Sequence, residues 1–384
     1  MKNKVSIQRC SANDDLQSVD RALKKSLGLI GALDNSLYSG KKILIKPNIL
    51  KGASYKSGAT TNPFMIESLI RFLKSFDCTI TIAEGAVVGY DTMEALTACG
   101  IDKISNRYGT GLVDLKKDRF IEKEVPGGKE LESLKIPVTV LDSDFLINMS
   151  VLKTHDSFPA TLGLKNIKGV ISEHDKKRFH NSELAQCIVD LNKVVRTDLS
   201  IIDGTVGMEG IGPLYGEPVD LKTIICSFDL IAADLIASRV MGLDPYSIKY
   251  IKLAIEQGIS SIKEEDIDVV GYTVDEVKRD FKVIDLKSSA CSQYLIDIMG
   301  EGACSGCLHT LESFLYKTGR NKDLDRLKGS TFILGKRNFS KDISGNKIIK
   351  FGKCAKDSYP EKGCYIKGCP PHMDTIREVL GIKK

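Results

Sequence analysis

The chain has 384 residues, enough for two domains and a sizeable core. Its formal charge is only +5 and no Lys/Arg block is interleaved with aromatics, so a nucleic-acid partner is not expected. No apolar stretch reaches the length of a membrane span and Met1-Lys-Asn-Lys-Val-Ser-Ile has no apolar leader core, so a cytoplasmic protein without membrane contact is expected.

Lys42-Ile-Leu-Ile-Lys46 reads as a strand, and Asn62-Pro63 opens a helix through Phe76 with Pro in the favoured first turn. Cys78 to Ala83 is a second strand, and Asp91 starts a helix that ends before Gly100. Leu112–Leu115, Val138–Leu141 and Phe145–Asn148 read as further strands, with a polar hairpin or lid over Glu122 to Leu134. An amphipathic helix from Ser182 to Val195, capped by Asn181 or Ser182, leads to strands at Leu199–Ile202 and Lys222–Cys226. A helix over Asp229–Met241 and strands at Val269–Val270 and Phe281–Ile284 close the series. Such alternation predicts an α/β fold with a largely parallel sheet and flanking helices.

Composition changes near Lys287, which sets expected domains at 1–286 and 287–384. The second holds two helices, a strand at Thr331–Leu334 and a loop-rich, cysteine-containing tail with few apolar residues for a core. A unit of that kind is commonly held by a metal.

Eleven cysteines in a reducing compartment point to ligands and core residues rather than a disulfide framework. Cys10, Cys78, Cys99, Cys187, Cys226 and Cys291, the last opening a helix, read as small hydrophobes. The other five run Cys304-Ser-Gly-Cys307, Gly-Lys-Cys354, Cys364 and Gly368-Cys369-Pro-Pro-His372. Cys304, Cys307, Cys354 and Cys369 are the expected ligands of a [4Fe–4S] cluster, with zinc as the alternative. Cys364 is the spare and His372 an outside candidate. Glycines beside Cys354 and Cys369 suit a cluster, because backbone N–H groups must approach its sulfurs.

Polar groups gather at the expected strand ends, where open α/β sheets bind ligands. They are Lys46 and Asn48, which Pro47 should turn outward, then Glu84, then Asn148 with Lys153-Thr-His155, then Lys165-Asn166, and Asp203. Lys46, Lys153 and Lys165 together favour a small anionic substrate. His155 could carry a proton or ligate a metal, and Glu84 and Asp203 could orient a lysine. The bland alternative for each lysine is a solvated or carboxylate-paired side chain. The Gly207–Gly216 segment, with Gly210 and Gly212, fits neither a Walker A nor a dinucleotide fingerprint and suits tight turns. His174 and His180 bracket a basic stretch read as a charged loop.

Taken in order, Lys46-Pro47-Asn48, Thr60-Thr-Asn-Pro63, Glu84-Gly85, Lys153-Thr-His155, Leu164-Lys165-Asn166, Asp190-Leu191, Asp203-Gly204, Gly210-Ile-Gly212-Pro213 and Asp229 with Ala233-Asp234 resemble the family called domain of unknown function 362, often described as iron–sulfur centre proteins. The cysteine tail is similar to the proximal-cluster signature of nickel–iron hydrogenase small subunits. It departs from the CxxCxxCxxxCP run that many family members carry, which implies one cluster rather than a two-cluster relay. The family is in turn similar to the nickel-pincer lactate racemase, which implies Lys153, His155 and Lys165 around a small carboxylate.

The first functional expectation is therefore an iron–sulfur oxidoreductase. Electrons would pass through the cluster to a substrate or second cofactor held by Lys46, Asn48, Lys153, His155, Lys165 and Asn166, with Glu84, Asn148, Asp203, Gly210 and Gly212 completing the pocket. This implies a redox partner protein and is compatible with a homo-oligomer. The second is a non-redox racemase or lyase with a structural zinc or cluster. The third is an anion-binding module without turnover.

Overall fold

Near-continuous apolar runs, such as Ile43-Leu-Ile45 and Ile80-Thr-Ile-Ala83, mark strands buried on both faces. In the computed structural model, which describes residues 3–11, 15–284, 296–300, 302–320, 323–336, 347–357 and 363–382, they lie at the centre of one large sheet. The chain divides into two units, residues 1–283 and 284–384.

The first unit is α/β, with a largely parallel sheet. Its spatial strand order is Asp268–Gly271, Lys4–Arg9, Thr223–Ser227, Leu199–Glu209, Phe145–Lys153, Lys42–Lys46, Thr79–Glu84 and Gly111–Asp114. Glu217–Val219 adds to the far end of Leu199–Glu209. The five strands from Leu199–Glu209 to Gly111–Asp114 are mutually parallel, whereas Thr223–Ser227 runs antiparallel to both its neighbours. Alternate residues feed the two faces. Ile43, Ile45, Ile82 and Ile147 pack with the helices Leu16–Leu29 and Pro63–Leu73, while Leu44, Ala83 and Leu146 pack with Leu184–Val194 and Leu230–Val240.

Several expectations change. Val138–Leu141 is a single helical turn, because the strand ends at Pro137 and Asp118 accepts the Thr139 N–H at 2.9 Å. The strand there is Ser133–Pro137, which pairs with Phe120–Glu124 in the expected hairpin. Phe281–Ile284 is not a strand, since its backbone bonds run to Met241 and Gly210. The stretch between His174 and His180 is no loop but the helix Glu173–His180, with Ser172 as cap, acidic residues in its first turn and basic ones in its last. The next helix, Leu184–Val194, is capped by Glu183 rather than Asn181 or Ser182.

The second unit is less loop-rich than its composition suggests. Asp297–Met299, Ser330–Ile333, Lys347–Phe351 and Cys364–Ile366 form an all-parallel sheet in that order. Leu311, Phe314, Phe332, Ile349, Phe351 and Ile366 are buried in it, so short strands of three to five residues still supply a core. Cys291 lies outside the described residues.

Candidate functional site

Lys46, Glu84, Asp114 and Lys153 close adjacent parallel strands of the first unit at one carboxyl edge. Pro47 does not turn Lys46 and Asn48 outward: both are buried. Lys46 Nζ lies 2.8 Å from Glu84 Oε2 and donates to the Pro47 carbonyl at 2.9 Å and to Asn166 Oδ1 at 3.1 Å. Asn48 Nδ2 donates to the same Asn166 oxygen at 2.8 Å, and Asn166 Nδ2 donates to Asn148 Oδ1 at 2.7 Å. Lys153 Nζ donates to Asn48 Oδ1 and, at 2.9 Å, to the Ala59 carbonyl. Lys46, Asn48, Glu84, Asn148, Lys153 and Asn166 therefore form one buried, bonded floor. Burial pushes the Lys153 ammonium well below its ordinary value, and the charges of Lys165 and Lys46 push the same way.

Asp203 serves another task. It accepts from the Asn62 N–H at 2.7 Å and from Thr205, and so fixes the start of the helix Pro63–Leu73. Gly210 and Gly212 brace the Lys153–Asp156 turn. Thr154 Oγ1 donates to the Gly210 carbonyl at 2.8 Å and the Asp156 N–H to the Gly212 carbonyl at 3.0 Å. A Cβ on Gly212 would overlap the Thr154 carbonyl. Carbonyls rather than N–H groups meet that turn, which is the wrong polarity for a phosphate cradle.

The rim carries the titrating groups. Lys165 sits on a single turn, Gly163–Asn166, whose Gly163 and Leu164 N–H groups donate to Asp234 at 2.7 and 2.9 Å. Burial raises Asp234 to about 7, against the pull of those two bonds. Lys165 Nζ is 2.7 Å from His155 Nε2. His155 Nδ1 is 2.7 Å from Asp156 Oδ1 and also 2.9 Å from the Ser157 N–H. One Nδ1 cannot serve both neighbours at once, so the ring has two self-consistent states. With Lys165 charged, Nε2 accepts and Nδ1–H donates to Asp156. With Lys165 neutral, Nε2–H donates to the amine and Nδ1 accepts from Ser157. Burial lowers Lys165 to about 8, with Asp156 opposing, so both states lie within reach near neutral pH.

Three further residues, to which the sequence reading gave no site role, lie nearby, and one of them, Lys176, is buried. Lys168 Nζ lies 2.9 Å from His180 Nε2, and Lys176 Nζ donates to the Gly85 and Ala86 carbonyls at 2.6 and 3.2 Å. Burial brings Lys176 to about 7, with Glu84 opposing. The available signal was the second lysine in Lys165-Asn-Ile-Lys168, three positions on, which is the spacing of one helical face.

In the second unit, Cys304 immediately precedes the helix Ser305–Arg320 and Cys307 lies buried in its first turn. Cys354 sits in the turn after Lys347–Phe351, and Cys369 follows Cys364–Ile366. The Lys353 N–H donates to the Gly368 carbonyl at 2.8 Å, which ties the Cys354 and Cys369 loops together. Gly352, at φ +88°, brings the backbone so close to Cys307 that a Cβ would stand 3.0 Å from Sγ. The bond with Cys304 pushes the Cys307 thiol up, burial adds to it, and Cys304, Cys369 and Cys354 push the same way. Among the described residues, no three His, Cys, Asp or Glu side chains gather as a single-ion site. Four thiols on glycine-containing loops are a donor set that either a [4Fe–4S] group or a zinc ion could take. Cys364 stands apart on a strand, paired in register with Ile349. His372 caps the helix Met373–Leu380 by position only, with no side-chain cap bond.

No helix among the described residues is long and apolar enough to cross a membrane. Residues 43–239 match the family described as domain of unknown function DUF362. A thylakoid-associated protein of Synechocystis sp. is 26% identical over 262 residues, covering 65% of this chain and 77% of that protein. Among solved structures, the lactate racemase apoprotein from Thermoanaerobacterium thermosaccharolyticum aligns with a TM-score of 0.41 and 17% identity over 63% of this chain. The chain spans 58% of that racemase's length.

Proposed function

The chain belongs to the DUF362 family, and from that premise we propose that its α/β unit is an acid–base enzyme acting on a small carboxylate. The observation that carries this reading is the Lys165–His155 contact of 2.7 Å at the carboxyl edge of the sheet. Neutral Lys165 would take a proton from the carbon beside the substrate carboxylate and become an ammonium. The electron pair left on carbon would delocalise into the carboxylate, whose added charge N–H donors around the site would stabilise. Delivery of a proton to the opposite face of that carbon, from solvent or a second acid, gives a racemase; its return to the same face gives exchange alone, and loss of a leaving group from the neighbouring carbon gives a lyase. His155 would relay the proton between Lys165 and Asp156 by exchanging its two ring states.

The test is proton exchange from solvent into the α-position of short carboxylates in deuterated water, followed by NMR. Exchange should be lost in Lys165→Met and His155→Gln and be indifferent to added reductant. Exchange at wild-type rate in Lys165→Met sinks the reading.

A second reading, an iron–sulfur oxidoreductase, is supported by the packing of Cys307 against Gly352 in the turn that carries Cys354, and by the bond from that turn to the loop of Cys369. A [4Fe–4S] group held there would supply one-electron chemistry. Iron and sulfide analysis of protein purified without oxygen, with activity compared in its oxidised and reduced states, separates the two readings.

A further inference from the structure

We propose that Lys168 and His180 form a second anion subsite beside the Lys165–His155 pair, so that the ligand is a small molecule carrying two anionic groups. This rests on the anion-site reading above and adds the class of ligand to it.

The two pairs are built alike. Each sets a lysine Nζ against an imidazole Nε2, at 2.7 Å for Lys165 and 2.9 Å for Lys168. The turn Gly163–Asn166 runs directly into the 3₁₀ turn Ile167–Val170, so the two lysines lie three positions apart on one face. Both are partly buried, at the rim, whereas Lys46 and Lys153 are sealed in the floor. Lys168 also lies 5.9 Å above the Phe179 ring, which holds its head near His180.

Charge at this rim is not balanced. Among the described residues, neither Lys165 nor Lys168 has a carboxylate oxygen within ion-pairing distance. The acidic group that acts on Lys165, Lys168 and His180 alike is Asp156, and it already lies 2.7 Å from His155. Burial first, and then the charges of Lys165 and Lys176, push the Lys168 ammonium well below its ordinary value. Lys168 has N–H donors left after its contact with His180. A ligand whose second anionic group meets Lys168 favours the ammonium there, while its first carboxylate lies beside the Lys165–His155 pair. A single carboxylate would leave the second lysine as it was. Side chains three apart on a helical face are about 5–6 Å apart at Cβ, a span that suits short dicarboxylates or a phosphate ester of a short acid.

The experiment is calorimetric titration of the full chain with succinate, butyrate and 2-phosphoglycolate. Succinate and butyrate have equal carbon counts and differ by one charge. Succinate should bind at least about tenfold tighter than butyrate. A still tighter 2-phosphoglycolate would assign one subsite to phosphate, whereas weaker binding would assign both to carboxylates. Lys168→Met should bring succinate to within about twofold of butyrate, and Lys168→Arg should keep most of the preference. Equal binding of the two acids by the wild-type protein overturns the proposal, as does an unchanged preference in a folded Lys168→Met protein. If Lys168→Met fails to fold, Lys168→Gln is read in its place. A succinate preference without α-proton exchange would leave this subsite standing and remove the acid–base reading alone.

Discussion

Lys46 Nζ and Glu84 Oε2 meet at 2.8 Å with both side chains only 1% exposed, at the ends of two adjacent parallel strands. The pair is fully bonded: Glu84 also accepts from the Ile49 and Gly85 N–H groups at 3.2 and 3.1 Å. Two buried charges are tolerated only when each satisfies the other, and removal of one strands its partner. Lys46→Met should therefore lower stability by about 3–5 kcal/mol in chemical denaturation, and Lys46→Met with Glu84→Leu should regain part of that loss. A loss under about 1 kcal/mol for the single change would mean that Glu84 is neutral or rehydrated in place.

The buried lysines make stability rise with pH well above the range of acid denaturation. Lys165 titrates at about 8 in the folded protein against an ordinary value of 10.5, and Lys176 at about 7. Between those values the unfolded chain binds more protons, so unfolding becomes harder as pH rises. Their contribution is complete above the unfolded value and lost as pH falls through 8 and 7. Asp234, raised to about 7, works the other way at lower pH, so the clean window is pH 7.5 to 9.5. The Tm of the ligand-free protein should climb across that window, and the climb should be shallower in Lys165→Met. Anion affinity should fall over the same range as Lys165 loses its charge. A Tm that falls instead would show that the lysines are not held below their ordinary values.

Asp234 is a positioning residue for that chemistry, since it holds the Gly163 and Leu164 N–H groups that start the Lys165 turn. Asparagine offers one acceptor and faces the second N–H with its own donors. In Asp234→Asn the turn should shift by a fraction of an ångström, which lowers kcat for α-proton exchange about tenfold or more while KM changes little. A merely structural role would instead lower thermal stability and leave kcat per folded molecule intact.

Much of this arrangement was legible in sequence because it follows chain-local rules. Short apolar runs at Lys42–Lys46, Cys78–Ala83 and Phe145–Asn148 read as strands with polar groups at or beyond their carboxyl ends, and Asn62-Pro63 read as a helix start; the last strand runs on to Lys153. What stayed hidden depends on partners far apart. His180 looked like part of a charged loop because its partner Lys168 lies twelve positions away, and only the fold of Glu173–His180 brings them to 2.9 Å. The Asn48–Asn166–Asn148 chain crosses three elements and leaves no periodic signal. Val138–Leu141 has a strand's composition, and Pro137 with the Asp118 bond decides otherwise. The tail's sheet was missed because its strands are too short to show alternation.

The cysteines allow a discrimination within one small region. Cys364 and Cys369 are five residues apart, yet Cys364 lies on a strand and burial alone raises its thiol, while Cys369 lies beyond the strand in the loop tied to Cys354. If Cys304, Cys307, Cys354 and Cys369 hold the cluster, Cys369→Ser should lose most bound iron and the visible charge-transfer band after anaerobic purification. Cys364→Ser should retain both, because its sulfur is a packing group. The second unit should also lose thermal stability in Cys369→Ser, since a metal bound only by the folded state adds its binding free energy to folding. The reverse pattern, iron lost with Cys364 and kept without Cys369, would require the strand Cys364–Ile366 to turn a ligand outward and would replace the proposed set. Zinc in place of iron, with a featureless spectrum, would keep the same four thiolates but make them a staple, and the stability loss in Cys369→Ser would then be the whole of its phenotype.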